Sequence, residues 1–546
     1  MKAINELKKI FPDFGIDFYL VPSQDEFLGE YTTEHSNRIK YITGFSGSNG
    51  MAVFSATDQD CFFTDGRYLI QARSELLGDF EIIDISNLSD WIIAKCKDGK
   101  KIGIDPNLHS ILETENLLKK GLLVFIEQNL VDLVWIDRPS REYSHIFLHP
   151  LDYSGQDIKD KKESVVERIK QNGLDAIIIS DPHSLCWLLN IRGRDLENTP
   201  IILSRAILYR EGLIDLFSSN PLDSKVQEYF SANNIRVFKE EEFDSSLQRL
   251  SNQKIGINPK SPYSIKLKLQ NAILVDEYCE QLRAIKNYTE IKGAISAHLK
   301  DGRAVSGLIE WIRTTQNLTE LDVSAKAQAL RSEEKNFVCP SFPTIAGFKG
   351  NGAIIHYRPA ESTNLEIKKD GILLIDSGGQ YLEGTTDITR TIAIGTPTEE
   401  QIHNFTLVLK GAIRLMTAKF KHGTSGAELD ALARQDLLQE GKNYVHGTGH
   451  GVGSFLSVHE YPRSIASAIL EPGMIVSVEP GFYKEGEYGI RIENLVLVER
   501  AQDPEMLEFR LLTLVPIDER LVDFSILTEE ERAWLERYNR SCQKVC

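Results

Sequence analysis

The chain has 546 residues, which is too long for one ordinary hydrophobic core and predicts two to four domains. Its 42% hydrophobic and 26% charged residues are typical of a globular protein, and no apolar run approaches the roughly 18 residues that a membrane span needs. The formal net charge of -17 and the lack of a basic stripe exclude a typical nucleic-acid-binding protein, because binding to phosphates depends on clustered lysine and arginine.

The amino-terminal stretch MKAINELKKIFPDFGIDFYLV predicts a helix that leads into a strand, since its apolar residues have helical spacing. It lacks the continuous apolar segment and the small-residue cleavage site of a signal peptide. The seven cysteines include no C-x-x-C pair and favour reduced thiols over a disulfide framework. We therefore expect a cytoplasmic protein.

Two stretches near the amino terminus are similar to two stretches further along the chain. GIDFYLVPS at 15–23 resembles GLDAIIISD at 173–181, and YITGFSGS at 41–48 resembles WLLNIRGR at 187–194. The offset between the copies falls by about twelve residues, so the first copy carries an insertion of that length. Each copy begins with a charged amphipathic helix and continues into strands, which predicts two related α/β domains.

Composition marks two domain boundaries. The segment DRPSREYSHIFLHPLDYSGQDIKDKKES is rich in proline, serine and charge, as linkers are, and places a boundary near residue 150. A second boundary lies near 282, where RAIKNYTEIKGAISAHLKDGRAVSGLIEWIR predicts a long amphipathic helix that opens the last domain. The predicted domains are therefore 1–150, 151–282 and 283–546.

In the last domain, acidic residues follow or interrupt strand-like runs, where globular proteins usually avoid charge. GILLIDSGGQY leads into Asp376, and TTDITRTIAIG places Asp387 in a second predicted strand. If these strands are neighbours at about 4.8 Å, the two carboxylates can share one site. The alternative is a pair of solvated turn aspartates, which suits Asp376 better than Asp387.

Two further acidic residues follow the same pattern. GMIVSVEPGFY runs from apolar residues into Glu479, and a Pro-Gly pair then ends the strand. GIRIENLVLV predicts a single alternating strand in which Arg491 and Glu493 share one face. A charged face in so apolar a run needs a partner, and solvent on an edge strand is the alternative.

The stretch HGTGHGVGSFLSVHE contains three histidines: His446, His450 and His459. The first two have the spacing of a helical zinc pair, but no glutamate follows the first, and each glycine would cost roughly 1 kcal/mol inside a helix. The glycines also lack the spacing of a dinucleotide-binding loop. We predict a non-helical segment in which His450 binds metal and the other two histidines take part in proton transfer. The alternative is that each is an ordinary core or surface histidine.

These residues form a candidate metal site with five ligands: Asp376, Asp387, His450, Glu479 and Glu493. Such an oxygen-rich set suits Mn²⁺, Fe²⁺, Co²⁺ or Zn²⁺. Four carboxylates exceed the charge of one divalent ion, which predicts two ions about 3.5 to 4 Å apart with a bridging water of lowered pKa. Such a dinuclear centre directs a hydroxide at a carbonyl carbon.

The chain resembles, over essentially its whole length, the long three-domain form of Xaa-Pro aminopeptidase (aminopeptidase P) among the pita-bread metallopeptidases of peptidase family M24. The similarity lies in SFPTIAGFKGNGAIIHYRP, LLIDSGGQYLEGTTDITRT, YVHGTGHGVGSFLSVHEYP, IVSVEPGFY and GIRIENLVLV, and nearer the amino terminus in YITGFSG, FTDGRYLIQA and LLNIRGRDLENTP. The resemblance implies an α/β (α+β) fold, with two related creatinase-like amino-terminal α/β domains followed by a pita-bread catalytic domain.

The resemblance also implies roles for individual residues. Asp387 and Glu493 would bridge the two metals, and Glu479 would also accept a proton from the bridging water. The side chains implied to line the pocket or support the metals are His356 near the scissile bond, His446, His459 on the substrate backbone, Arg491 and Tyr483. Further substrate-binding candidates in the amino-terminal domains, at the pocket entrance, are Arg38, Tyr41 and Arg194.

The activity implied by the resemblance is hydrolysis of the Xaa-Pro bond at the amino terminus of peptides, with Mn²⁺ as the usual cofactor and a homodimer formed through the last domain. An Xaa-Pro bond lacks an N–H, and the proline ring fixes φ. Peptidases that hydrogen-bond to an extended substrate backbone therefore cleave it poorly. Histidines beside a metal pair supply position and a proton for the leaving nitrogen. The alternatives are a prolidase, which prefers dipeptides, and a non-catalytic pita-bread peptide-binding module; two amino-terminal domains favour aminopeptidase P.

Overall fold

The computed structural model describes residues 2–119, 121, 123–269, 271–368 and 370–544, which fall into two compact units. The first unit consists of Met1–Leu148, Asp157–Leu196 and Ile201–Cys279, and the second of His149–Gln156, Glu197–Pro200 and Glu280–Cys546. Six cysteines within the described residues are reduced thiols, and Cys546 lies outside those residues. No helix in the described part of the chain is long and apolar enough to cross a membrane.

The first part of the first unit is a six-stranded sheet with the strand order β4-β3-β2-β1-β5-β6. Its strands are β1 (Phe18–Pro22), β2 (Met51–Ser55), β3 (Asp60–Thr64), β4 (Phe80–Asp84), β5 (Ile102–Ile104) and β6 (Leu123–Phe125). Its helices are α1 (Lys2–Lys9), α2 (Phe11–Phe14), α3 (Arg38–Thr43), α4 (Leu69–Glu75), α5 (Leu88–Lys97), α6 (Ile111–Leu118) and α7 (Leu130–Val134). The predicted amino-terminal helix followed by a strand is confirmed.

The next part of the chain contains a second six-stranded sheet. The strands from here to the start of the last domain are β7 (Phe147–Leu148), β8 (Ala176–Ile179), β9 (Ile191–Arg192), β10 (Arg205–Tyr209), β11 (Ile214–Phe217), β12 (Ile235–Phe238), β13 (Ile255–Ile257) and β14 (Ile273–Leu274). The helices are α8 (Leu151–Ser154), which belongs to the second unit, α9 (Ile158–Gln171), α10 (Pro182–Leu188), α11 (Ser224–Ala232), α12 (Phe243–Arg249), α13 (Tyr263–Lys268) and α14 (Tyr278–Ala284).

The two sheets have the same strand order and polarity. The second runs β12-β11-β10-β8-β13-β14, so that β8 takes the place of β1. In each sheet that strand pairs antiparallel with β2 or β10 on one side and parallel with β5 or β13 on the other. The sequence repeat at 15–23 and 173–181 contains β1 and β8, so it is a repeat of whole α/β folds.

The second unit contains the long helix expected after residue 282, and a capping box formed by Asn287 and Glu290 begins that helix. Its helices are α15 (Tyr288–Thr314), α16 (Glu320–Ser332), α17 (Glu399–Met416), α18 (Gly426–Gln439) and α19 (Glu529–Cys542). Its strands are β15 (Leu318–Thr319), β16 (Phe337–Pro340), β17 (Ile345–Phe348), β18 (Glu366–Ile367), β19 (Gly371–Ser377), β20 (Gly379–Tyr381), β21 (Gly384–Thr385), β22 (Ile388–Ile394), β23 (Lys419–Lys421), β24 (Ile475–Val478), β25 (Gly481–Lys484), β26 (Tyr488–Arg491), β27 (Asn494–Arg500) and β28 (Met506–Leu511).

Strand β19 is the middle strand of a three-stranded sheet and is buried on both faces. It pairs with β17 and β22 in one sheet, and a second sheet runs β23-β28-β27-β24. Leu373 and Ile375 pack in one hydrophobic cluster with Leu308 of α15, whereas Ile372 packs in another with Val408 of α17. Burial on both faces explains why the apolar residues of this strand run continuously up to the acidic residue that follows them.

Candidate active site

The strand that contains Asp376 neighbours the strand that Asp387 precedes. Strands β19 and β22 pair antiparallel with Asp376 opposite Thr389, and Asp387 directly precedes β22 rather than lying within it. Both carboxylates are buried, and Oδ1 of each has no hydrogen-bond partner among the described residues. A buried carboxylate oxygen without a hydrogen-bond donor is unfavourable unless a cation reaches it. The alternative of two solvated turn aspartates therefore does not describe these residues.

The two glutamates lie at the ends of other strands of the same unit. Glu479 directly follows β24, and Glu493 lies between β26 and β27. The prediction of one continuous strand over GIRIENLVLV is wrong, because β26 pairs with β25 whereas β27 pairs with β24 and β28. At the break, the backbone N–H of Glu493 donates to the carbonyl of Thr389 at 3.1 Å, which brings this glutamate beside β22.

The glycine-rich stretch around His450 is non-helical, as predicted. It lies alongside β24, where Ser477 N–H donates to the His450 carbonyl at 2.8 Å. A Cβ atom at Gly449 would lie 1.9 Å from the Ser477 carbonyl, and one at Gly451 would lie 2.1 Å from the Tyr461 carbonyl. The glycines that flank His450 therefore permit a backbone approach that any side chain would block.

The five predicted ligands lie close together in overlapping groups. Within each group, one nitrogen or oxygen atom from every side chain lies within 4.8 Å of the others. The groups are Asp376 with Asp387 and Glu493, His450 with Glu479 and Glu493, and Asp387 with His450 and His459. Shared members link the three groups, so the five side chains and His459 form one continuous cluster.

The imidazole of His450 presents a lone pair to this cluster. Its Nδ1 lies 2.9 Å from the Gly451 carbonyl oxygen, which only accepts hydrogen bonds, so Nδ1 carries the proton of the neutral ring. Nε2 then lies 3.5 Å from Asp387 Oδ2 and 3.5 Å from Glu479 Oε1. A neutral imidazole nitrogen beside carboxylate oxygens is a donor set that fits a divalent transition-metal ion.

Concentrated negative charge changes the pKa values within the cluster. Burial raises the pKa of Asp387 well above its usual range, and the charges of Asp376 and Glu479 raise it further. Burial also raises the pKa of Glu493 well above its usual range, with Asp387 as the next largest cause. Buried carboxylates that repel one another become stable in the ionised form when cations neutralise them.

Arg491 is the buried cation that contacts the cluster. Its Nη2 donates to Asp376 Oδ2 at 2.6 Å, and its Nη1 donates to the Tyr483 hydroxyl at 2.7 Å. Its Nε donates to Thr389 Oγ1 at 3.2 Å, and that hydroxyl donates to Glu493 Oε2 at 2.9 Å. The guanidinium therefore orients two of the acidic side chains, one directly and one through a threonine.

Sequence reasoning missed Thr389 and a second hydroxyl, Ser477. Ser477 Oγ donates to Glu479 Oε1 at 3.1 Å and accepts from the backbone N–H of His450 at 2.9 Å. Thr389 lies two positions after Asp387, and Ser477 lies two positions before Glu479. A polar residue two positions from each of these two acidic residues was the available signal.

His446 and His459 both lie at the acidic cluster. His446 Nδ1 lies 2.8 Å from the Gly447 carbonyl, so its Nε2 accepts the hydrogen bond from Tyr483 at 2.8 Å. Burial raises the pKa of Tyr483 to about 12, which keeps that hydroxyl protonated. The ring of His459 lies 4.4 Å from the ring of His450, at nearly a right angle.

His356, the third pocket histidine, is half-buried and follows Ile355. The carbonyl of Ile355 accepts a hydrogen bond from Nη2 of Arg491 at 3.3 Å. The backbone that carries His356 is therefore attached to the same guanidinium that holds Asp376.

The three candidates from the amino-terminal domains lie in the first unit. Arg38 is buried, and it donates to Glu26 and Asp132 through Nη2 and Nε at 2.6 and 2.7 Å. Tyr41 stacks on a tryptophan ring at a centroid distance of 4.4 Å, and Arg194 is exposed. Arg38 and Tyr41 therefore have internal contacts, and substrate roles for all three stay predictions.

Comparison with known proteins covers the whole chain. Residues 294–500 match metallopeptidase family M24, and residues 505–546 match the C-terminal region of that peptidase family. Residues 4–133 and 137–290 match two models of the creatinase/prolidase N-terminal domain. A probable Xaa-Pro aminopeptidase P of Neurospora crassa is 37% identical over 98% of this chain and 85% of its own length. The chain belongs to the Xaa-Pro aminopeptidase P group of family M24.

Other known proteins are similar to this chain over different shares of its length. The probable Xaa-Pro aminopeptidase P of Pyricularia oryzae is 37% identical over 98% of this chain and 94% of its own. The X-prolyl aminopeptidase of Caenorhabditis elegans, described as a cytosolic enzyme with a di-nuclear active site, is 31% identical with a TM-score of 0.96 over 100% of this chain and 95% of its own. The Xaa-Pro dipeptidase of Bacillus anthracis is 26% identical with a TM-score of 0.54, over 66% of this chain and 99% of its own.

Membership of family M24 confirms the predicted fold class. Two creatinase-like α/β domains of the same topology precede a pita-bread domain, and the acidic cluster lies within the residues that match the family. The predicted resemblance to the long form of aminopeptidase P is likewise confirmed.

Proposed function

We propose that this M24 protein is a metal-dependent aminopeptidase that hydrolyses the Xaa-Pro bond at the amino terminus of peptides. The observation that carries the proposal is the buried cluster of four carboxylates and one imidazole lone pair, in a chain similar to an X-prolyl aminopeptidase along its whole length. The Xaa-Pro dipeptidase of Bacillus anthracis covers 66% of this chain, which favours the aminopeptidase over the dipeptidase.

We propose that Asp376, Asp387, His450, Glu479 and Glu493 would hold two divalent ions, and that Asp387 and Glu493 would be shared between the two. The buried Oδ1 atoms of the two aspartates and the Nε2 lone pair of His450 support this assignment. Mn²⁺ is the proposed ion, and the same oxygen and nitrogen donors accept Zn²⁺, Co²⁺ or Fe²⁺. Divalent ions in such a site act as Lewis acids toward a peptide carbonyl and lower the pKa of water.

The side chains around the ligands have complementary proposed roles. Glu479 accepts the proton of the attacking water, and Ser477 holds one of its oxygens so that the carboxylate keeps a single orientation. Arg491 orients Asp376, and the Tyr483 hydroxyl orients the His446 ring. These contacts keep proton acceptors and ligands in place before the substrate arrives.

The pocket histidines suit the chemistry of proline. The nitrogen of an Xaa-Pro bond carries no hydrogen and must gain a proton when it leaves. We assign His459 to the substrate backbone and His356 to the region of the scissile bond and the proline ring, with His446 beside Glu479. The 3.9 Å between His446 Nδ1 and Glu479 Oε2 supports a role for this histidine close to the proton acceptor.

Further features follow from the same proposal. The proposed domains are 1–150, 151–282 and 283–546, and Arg38, Tyr41 and Arg194 are proposed to restrict the pocket entrance to a free amino terminus. The protein is proposed to form a homodimer through its last domain. A cytoplasmic location is proposed because the Caenorhabditis elegans relative is described as cytosolic.

Three peptides test the proposed activity: Arg-Pro-Pro, Arg-Pro and Arg-Ala-Pro. The Mn²⁺-loaded protein is expected to release arginine from Arg-Pro-Pro and to leave Arg-Ala-Pro intact, as followed by chromatography of the products. Cleavage of Arg-Pro alone would reassign the protein as a dipeptidase. A metal-loaded protein that binds Arg-Pro-Pro but cleaves none of the three would be a peptide-binding module.

A further inference from the structure

A buried glutamate connects the two ends of the segment 348–365, which contains His356. Glu320, the first residue of α16, is fully buried. Its Oε1 accepts from the backbone N–H of Phe348 at 2.7 Å, and its Oε2 accepts from the backbone N–H of Leu365 at 2.9 Å. One carboxylate therefore closes this segment into a loop.

The same carboxylate also holds the interior of the loop. The hydroxyl of Tyr357 donates to Glu320 Oε2 at 2.8 Å, and the Asn351 amide donates to the same oxygen at 2.9 Å. The Tyr357 ring packs against Ile345 and Leu374, the latter from the strand that ends near Asp376. The loop is thus held at both ends, at the side chain of Asn351 near its start, and at Tyr357, which follows His356.

The donors to Glu320 explain why a carboxylate occupies this position. The four groups that reach it, two backbone N–H groups, one amide and one phenol, are all neutral donors. An ionised carboxylate is an acceptor with room for all four, whereas a glutamine would direct an NH₂ group at one of them. Burial of a charge is costly unless hydrogen bonds compensate for it, and the four donors supply that compensation at Glu320.

The backbone of His356 is anchored on both sides. The carbonyl of Ile355 accepts from Arg491, and the side chain of Tyr357 is bound to Glu320. We propose that Glu320 is a positioning residue for His356, which acts through Tyr357 to fix the backbone that presents this imidazole to the substrate. The proposal rests on the proposed function, in which His356 lines the pocket.

Two variants weaken the anchor and leave the metal ligands in place: Glu320→Gln and Tyr357→Phe. Tyr381→Phe is the matched control, because the Tyr381 hydroxyl also donates to a buried carboxylate, Asp301 Oδ1 at 2.9 Å, and lies outside the loop. We expect both loop variants to lower kcat/KM for Arg-Pro-Pro roughly tenfold with an unchanged Mn²⁺ content. The control is expected to lose stability but to keep the kinetic constants of the parent protein.

A double variant separates positioning from general destabilisation. In the His356→Ala background, Tyr357→Phe is expected to add less than about a twofold further loss in kcat/KM, because the side chain that it positions is already absent. Losses that multiply in the double variant would overturn the proposal. If Glu320→Gln does not fold, the Tyr357→Phe series decides the question by itself.

Limited trypsin digestion measures the anchor without any activity assay. Lys349 is exposed, lies within the loop and is followed by a glycine, so trypsin can cleave after it. Glu320→Gln is expected to speed cleavage after Lys349 several-fold relative to the parent and to Tyr381→Phe. If the parent cleaves no Xaa-Pro peptide, the proposed function fails while this digestion still tests the anchor. Parent-like kinetics and a parent-like digestion rate in both loop variants would overturn the proposal.

Discussion

Arg491 and Asp376 form a buried ion pair in which the guanidinium Nη2 lies 2.6 Å from the carboxylate Oδ2. The other oxygen of the carboxylate, Oδ1, is buried and has no hydrogen-bond partner among the described residues. The arginine therefore holds the carboxylate by one oxygen and leaves the second for a cation. The same guanidinium contacts Tyr483, Thr389 and the backbone before His356, so it links the acidic cluster to the pocket.

Arg491→Lys tests this link. A lysine keeps the charge but loses the planar set of donors that reaches several partners at once, so Asp376 loses its fixed orientation. We expect the affinity for Mn²⁺ to fall roughly tenfold to a hundredfold, as is typical when a partner of a metal ligand is lost. Competition with a chelator of known affinity measures the change. A lysine variant that binds Mn²⁺ as tightly as the parent would show that the pair is not needed for orientation.

Asp387→Asn has opposite expected effects on stability and on metal binding. Burial and the charges of Asp376 and Glu479 raise the pKa of Asp387 above its value in the unfolded chain, about 3.9. Ionisation of this group therefore disfavours the native state, and the metal-free protein loses stability as the pH rises from that value through the native pKa. The variant lacks this penalty.

Thermal unfolding at neutral pH measures both effects. In a chelator, Asp387→Asn is expected to have a higher Tm than the parent protein. With excess Mn²⁺, the Tm of the parent is expected to rise strongly and that of the variant only slightly, because binding to the native state stabilises it. If the metal-free variant melts below the metal-free parent, ionised Asp387 does not destabilise the native state and the expected sign is wrong.

Two tyrosines of the β25–β26 hairpin provide a matched comparison. Tyr483→Phe removes the hydroxyl that donates to His446 and accepts from Arg491, and we expect kcat to fall roughly tenfold to a hundredfold with an unchanged metal content. The Tyr488 hydroxyl instead bonds to Asn404, at 2.8 Å. Steady-state kinetics on Arg-Pro-Pro should show little change for Tyr488→Phe, and equal losses in the two variants would argue against a specific role for Tyr483.

Two glycines beside His450 differ sharply in the space around them. A Cβ at Gly449 would lie 1.9 Å from the Ser477 carbonyl, whereas the nearest atom to a Cβ at Gly447 is 3.6 Å away. We expect Gly449→Ala to separate the His450 segment from β24, to lower the Tm and to weaken Mn²⁺ binding. Gly447→Ala is expected to keep the Tm of the parent within a few degrees. Calorimetry with and without Mn²⁺ tests the pair.

The parts of the fold that depend on local pattern were predictable. The repeat at 15–23 and 173–181 identifies two copies of one α/β topology, because each contains the central strand of its sheet. Acidic residues that follow or interrupt apolar runs identify Asp376 and Asp387, because charged residues are rarely buried unless they have a partner. Glycine spacing excludes a helix around His450 because each interior glycine costs stability.

Other features depend on contacts between distant parts of the chain and were not predictable. At the strand break, Glu493 is hydrogen-bonded to Thr389, more than a hundred residues earlier. The alternation of residue types within GIRIENLVLV does not identify that partner. Arg38 was a substrate-binding candidate from the sequence, and nothing in the sequence indicated the two acidic residues that bind it inside the first unit. Such pairings depend on tertiary structure rather than on local propensity.

Titration of the metal-stripped protein with Mn²⁺, with release of arginine from Arg-Pro-Pro as the readout, tests the central claim most directly. The two-ion site predicts no release from the stripped protein and a rate that saturates at two equivalents of Mn²⁺ per chain. The five-ligand cluster further predicts that Asp387→Ala abolishes the response to added metal. Arginine release by the stripped protein, or by Asp387→Ala at the rate of the parent, would contradict the account.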